Sequence, residues 1–127
     1  MCILNLIKRK IPFLSLIIFI SCSKTTGFNF DYVYPQNLKV KKDSALTFYL
    51  KIKNIDNNKL ILTNIKPSCK CIILSNKTLK LLPRETDSIR IKLFGSDLPG
   101  KYGESIIFTN NKIKKFKILE LKYEVTN

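Results

Sequence analysis

From Phe28 onward the apolar residues recur at every second position, and this alternation decides what the chain can fold into. Phe28, Phe30, Tyr32 and Tyr34 alternate with Asn29, Asp31 and Val33, and Pro35 stops the run. Leu46, Phe48, Leu50 and Ile52 alternate with Thr47, Tyr49, Lys51 and Lys53. A period of two puts one set of side chains on each face of a strand, so these runs read as half-buried β-strands. Leu60 to Ile65, Cys71 to Leu74 and Leu79 to Leu82 are shorter β-rich runs, the last ending at Pro83. Ile89, Ile91 and Leu93, then Tyr102, Ile106 and Phe108, then Leu119, Leu121, Tyr123 and Val125 repeat the pattern. Asn54 to Asn58, Pro67-Ser68, Gly95 to Gly100 and Asn110-Asn111 supply the breaks, because Asn, Asp and Gly tolerate left-handed backbone.

After residue 21 no window of about ten residues keeps a helical apolar stripe. About seven or eight antiparallel strands with turn signals every 8–12 positions predict an all-β sandwich. A chain of this size buries about 65% of its unfolded surface, enough for one core without staples. The length of 127 residues allows a single domain.

The amino-terminal segment follows another logic. Lys8-Arg9-Lys10 precedes the apolar run Ile11 to Ile20, which is followed by Ser21 and Cys22. As a helix that run would rise about 15 Å, half of the ~30 Å hydrocarbon layer, so it does not span a membrane. A basic flank, a short apolar core and a small residue at the junction make a secretory signal peptide. Phe19-Ile20-Ser21-Cys22 resembles a bacterial lipobox, whose cysteine is acylated and becomes the first mature residue. The expected layout is a lipoprotein signal peptide at 1–21, an acylated Cys22 with a short tether at 22–27, and one domain at 28–127. Cys2 falls in the discarded segment. Ser23 to Gly27 reaches at most about 18 Å when extended, which would hold the domain close to its membrane.

The formal net charge is +14, and cleavage before Cys22 removes three of the cations. Nucleic acid is not the expected partner. An exported protein does not normally meet it, and only Arg84 and Arg90 of the mature chain offer the bidentate guanidinium favoured by base and phosphate readers. Weak electrostatic contact with anionic surfaces is compatible with so many lysines. The chain has no His, which excludes Ser-His-Asp and Cys-His catalysis and His-based zinc sites. With 4 Gly in the whole sequence there is no glycine-rich phosphate loop. Asp87, Asp97, Glu104, Glu120 and Glu124 show no paired-carboxylate spacing and read as solvated surface.

Phe30-Asp31, the strand Thr47 to Asn54 and the run Leu60-Ile61-Leu62-Thr63-Asn64-Ile65-Lys66-Pro67-Ser68-Cys69-Lys70-Cys71 together resemble the bacterial domain-of-unknown-function family 1573. Its hallmark is Pro-Ser-Cys-Gly-Cys-Thr after a strand of the type Leu-Val-Ile-Thr-Asn-Val. Leu82-Pro83-Arg84-Glu85 is similar to that family's Pro-Gly-Glu turn, Gly100-Lys101-Tyr102-Gly103 to its Gly-x-Phe strand start, and Thr109-Asn110-Asn111 to its Ser-Asn turn. The resemblance covers residues 28 to 125 and implies an immunoglobulin-like sandwich, akin to Hydin-type domains, often on secreted or lipid-anchored proteins. It implies no activity. Lys70 stands where the family has Gly, and Ile72 where it has Thr. A left-handed residue between the two cysteines would therefore carry Cβ strain here.

Cys69 and Cys71 are the one candidate for chemistry, and three readings compete. They are structural, as buried thiols or a disulfide formed in an oxidising compartment. Residues i and i+2 of an extended strand lie about 6.5–7 Å apart at Cα, so a bond would need a local turn. Alternatively they form a reducible disulfide that exchanges with redox partners, with Lys66 and Lys70 favouring thiolate. In the third reading, two thiolates take a soft metal, although a chain without His and with only Met1 offers few further ligands. The expectation is a non-catalytic binding or scaffold lipoprotein of the envelope, on the outer membrane and facing periplasm or surface. It would have an envelope protein partner, with no cofactor and no metal, and the thiol pair is the alternative.

Overall fold

The alternating runs form strands throughout a computed structural model that describes residues 26–127. The expected signal peptide at 1–21 and the expected acylation site Cys22 lie outside the described residues. The strands are β1 (Phe30–Val33), β2 (Leu38–Lys41), β3 (Ala45–Asn54), β4 (Leu60–Leu62), β5 (Asn64–Pro67), β6 (Ile72–Leu74), β7 (Leu79–Leu81), β8 (Thr86–Phe94), β9 (Gly100–Asn110) and β10 (Lys115–Thr126). No helix occurs among the described residues. One sheet has the order β1-β3-β8-β6, a second β2-β10-β9-β5, and β4 pairs with β7 in a small third sheet. The fold is an all-β, immunoglobulin-like sandwich.

The alternation sets the core. Along β3, Phe48, Leu50 and Ile52 are buried while Thr47, Tyr49 and Lys51 face solvent. On β8 it is Ile89, Ile91 and Leu93, and on β10 Leu119, Leu121, Tyr123 and Val125. Each such Leu, Ile or Phe contributes about 1.5–3 kcal/mol through apolar surface removed from water. Phe30 of the first sheet meets Phe108 of the second edge-on, with ring centroids 5.4 Å apart. Lys117 closes one side of this contact. Its ammonium lies 4.6 Å from the Phe30 ring centroid and donates to the Phe30 carbonyl at 2.7 Å.

The strand count exceeds the expected seven or eight for two reasons. Leu38–Lys41 is a further short strand, joined parallel to the end of β10. The chain reaches it by stepping between sheets at Tyr34–Asn37, through Pro35 and a left-handed Asn37 (φ 57°). The expected single run Leu60–Ile65 is broken at Thr63. Upstream of it β4 pairs with β7, and downstream β5 pairs with β9. Thr63 stabilises the break, because its N–H donates to the Thr109 carbonyl at 2.8 Å and its hydroxyl accepts from Asn111 N–H at 2.9 Å.

Candidate functional site

Pro67 ends β5 in the second sheet and Ile72 opens β6 in the first, so Ser68–Cys71 must turn across one end of the sandwich. The turn shortens the Cα separation of Cys69 and Cys71 to 5.2 Å, and a disulfide joins them. Both sheets hold it. On one side Ser68 N–H donates to the Ser105 carbonyl at 2.8 Å, and on the other the Cys71 carbonyl accepts from Phe94 N–H at 2.8 Å. Both cysteines are half-buried.

The strain expected at Lys70 does not arise. Among the described residues, those other than glycine with positive φ are Asn37, Asp43, Arg84 and Lys114. The turn is made without left-handed backbone at position 70, so a Cβ there is tolerated. The strain falls instead on Arg84, at φ 67°, in the Leu82–Glu85 turn. That turn is closed by Glu85 N–H donating to the Leu82 carbonyl at 3.0 Å, and its third position requires positive φ when it is of type II.

A carboxylate stands beside the sulfurs. Glu104 offers a ligand oxygen that lies, with both Sγ atoms, within a group spanning no more than 4.8 Å. The Ser68 hydroxyl donates to Glu104 Oε2 at 2.7 Å and accepts from Ser105 N–H at 2.8 Å, so the carboxylate is oriented through a side chain that the β9 backbone fixes. This anion opposes the help that Lys66 and Lys70 would give a thiolate. Glu104 also acts on Tyr123, whose phenol is held above its ordinary value of 10.0, first by burial, then by Glu104, then by Tyr102.

Sequence reasoning missed Glu104 by treating it as solvated surface. The signal was its parity. Glu104 shares the inward-facing set of β9 with Tyr102, Ile106, Phe108 and Asn110, and it is half-buried. An acid on the core face of a strand asks for a partner, and here Ser68 supplies it. Among the other acids considered, Asp87, Asp97 and Glu120 are exposed, and Glu124 is half-buried.

Solved structures share this architecture. The chain is similar to a FixG-related protein from Vibrio parahaemolyticus, with 14% identity, a TM-score of 0.54, and coverage of 78% of this chain and 96% of that one. It is similar to a PapD-like domain of human CEP192, with 9% identity, a TM-score of 0.51, and coverage of 90% and 96%. The E. coli chaperone DraB matches with 10% identity and a TM-score of 0.54 over 77% of this chain, which spans about half (54%) of that chaperone. At such identities the likeness is one of fold. No curated protein matches the sequence. The model of the family described as "Protein of unknown function (DUF1573)" matches residues 28–125, the whole sandwich with its Pro67–Cys71 turn, and the chain belongs to that family.

Proposed function

We propose that this chain is a non-catalytic binding module of the bacterial envelope, anchored by lipid on Cys22 and capturing an envelope protein by strand addition. The observation that carries the reading is the unequal pairing of β10. On one side it pairs with β9 from Lys115 to Val125, but on the other β2 pairs only with Tyr123–Thr126. Among the described residues no strand pairs with Lys115–Lys122 on that side, where Tyr34 donates to the Glu120 carbonyl at 3.1 Å. An open backbone edge of this length is a template for an extended segment. The other edges offer less: β1 and β5 have 4 residues each and β6 has 3, and β5 closes on Pro67.

Phe116 and Ile118 project from the same edge at 67% and 48% exposure, spaced to seat alternate apolar side chains of an incoming strand. The exposed Lys112, Lys114 and Lys115 before and beside Phe116 favour an acidic partner segment at that end of the edge, while Glu120 and Lys122 beyond Ile118 carry opposite charges. The tether of about five residues keeps the domain close to the bilayer, and outer-membrane placement suits the residue after Cys22. Mild crosslinking and pull-down from membranes tests the proposal. The wild type should capture an envelope protein that the doubly substituted Phe116→Asp, Ile118→Asp chain loses at least tenfold. Equal capture, or none by the wild type, refutes it. Mass spectrometry should find an acylated Cys22, and an unmodified amino terminus would remove the anchor.

A second reading rests on the half-buried disulfide, which closes across only two positions of sequence separation. So small a loop gains little from chain entropy, and accessible bonds of this kind are reducible. A measured potential near about −200 mV would mark an exchanging bond, and one below about −300 mV a structural one.

A further inference from the structure

We propose that reduction converts the Cys69–Cys71 turn into a site for a borderline divalent cation, Zn2+, with Glu104 as the third protein ligand. The proposal rests on the second reading above, that this disulfide opens in the folded chain. Three observations carry it. The ligand atoms of Cys69, Cys71 and Glu104 already lie within 4.8 Å of one another. Tetrahedral zinc at about 2.3 Å from sulfur and about 2.0–2.2 Å from carboxylate oxygen sets its donors about 3.5–3.8 Å apart, so the two sulfurs must separate once their bond is broken while the carboxylate oxygen closes in by about an ångström. The turn is also fixed in both sheets through Ser68 and Cys71, so the cysteines need not be gathered from mobile segments. And the carboxylate is oriented in advance by the Ser68 hydroxyl at 2.7 Å, which Ser105 N–H holds in turn. Such outer hydrogen bonds typically contribute tenfold or more to metal affinity.

The donor set selects the ion. Two thiolates without a carboxylate would suit Cu(I), whereas two thiolates and one carboxylate suit Zn2+ and leave a fourth position for water at a half-buried site. The chemistry balances with a dithiol as reductant. The S–S bond accepts two electrons and two protons and becomes two thiols, while the reductant closes its own disulfide. The cation then displaces both thiol protons to solvent. Reoxidation by the disulfide form of that same reductant passes the two electrons back to it, closes the Cys69–Cys71 bond and releases the ion, so cation binding and the disulfide exclude one another.

The test uses the full chain with Cys2→Ser and Cys22→Ser, so that the only thiols are Cys69 and Cys71. It is reduced without denaturant by a phosphine that does not bind metal. Co2+ is added as a spectroscopic stand-in and Zn2+ as competitor. The reduced chain should release two titratable thiols and develop a thiolate-to-cobalt charge-transfer band that Zn2+ abolishes. The oxidised chain should show no band, and Glu104→Gln, which keeps the hydrogen-bonding shape, should weaken binding at least tenfold. Thiols without a band would overturn the cation site and leave the reducible disulfide standing. Thiols released only after unfolding would overturn both. Unchanged affinity in the Glu104→Gln chain would overturn the three-ligand site.

Discussion

Asn54 and Asn110 do the same work from opposite sheets. Each is a fully buried polar side chain at the end of a long strand, and each donates its amide into the small third sheet. Asn54 reaches the Leu81 carbonyl on β7 at 3.2 Å, and Asn110 the Ile61 carbonyl on β4 at 2.8 Å. Each side-chain oxygen caps its own turn, accepting from Asp56 N–H at 2.9 Å in one case and Lys112 N–H at 2.9 Å in the other. The β4–β7 pair is thereby pinned to both halves of the sandwich.

Either anchor changed to Ala leaves buried carbonyls and N–H groups without partners, and should cost about 1–3 kcal/mol for each group left unsatisfied. Because both hold one small sheet, the double variant should lose less than the two single losses added together, by about 0.5 kcal/mol or more. Denaturant unfolding of the three variants measures this. Strict additivity would show that the small sheet is not their shared dependent.

At Arg84 the backbone is left-handed, and the guanidinium donates to the Ile55 carbonyl at 2.8 Å. Arg84→Gly and Arg84→Ala both lose that bond, so their difference isolates the backbone. Left-handed φ costs a residue with Cβ about 1 kcal/mol, and the glycine variant should be the more stable by that amount. Equal stabilities would mean that the turn relaxes when the side chain is removed.

Much of this was legible beforehand. Alternation identifies β3, β8, β9 and β10 because each buries one face only, which writes the period directly into the residues. The turn at Leu82–Glu85 and the Asn110 cap were marked by residue types that suit them. What escaped was set by pairing between distant segments. β2 is four residues long, too short to display a period, and exists because β10 offers it an edge. The split at Thr63 depends on Thr109, 46 positions away. Glu104 meets Ser68 only because β5 lies beside β9, a relation no local spacing records.

Tyr123 gives the molecule a response to high pH. Its folded value is raised, so the folded state keeps the proton longer than the unfolded chain, whose ordinary value is 10.0. Its contribution is complete below about pH 10 and is lost as pH climbs through the raised folded value. The comparison with Tyr123→Phe isolates this one group. The wild type should lose stability above about pH 10 more steeply than that variant, and Glu104→Gln should soften the wild-type slope by removing the second cause of the shift. Parallel curves for the wild type and Tyr123→Phe would rule out the assignment.

Removal of the disulfide tests how far the turn depends on it. Cys69→Ser with Cys71→Ser releases a loop so short that the entropic loss is only about 1–2 kcal/mol, less than the 2–5 kcal/mol typical of a buried Leu50→Ala change. The turn keeps its backbone bonds to Ser105 and Phe94, and Ser68 keeps Glu104. The serine variant should therefore fold with unchanged circular dichroism and a melting temperature lowered by several degrees. A collapse on the scale of a core deletion would mean that the bond, and not the two-sheet docking of Ser68 and Cys71, sets the end of the sandwich. Such a turn would be too dependent on its closed form to open in the folded chain.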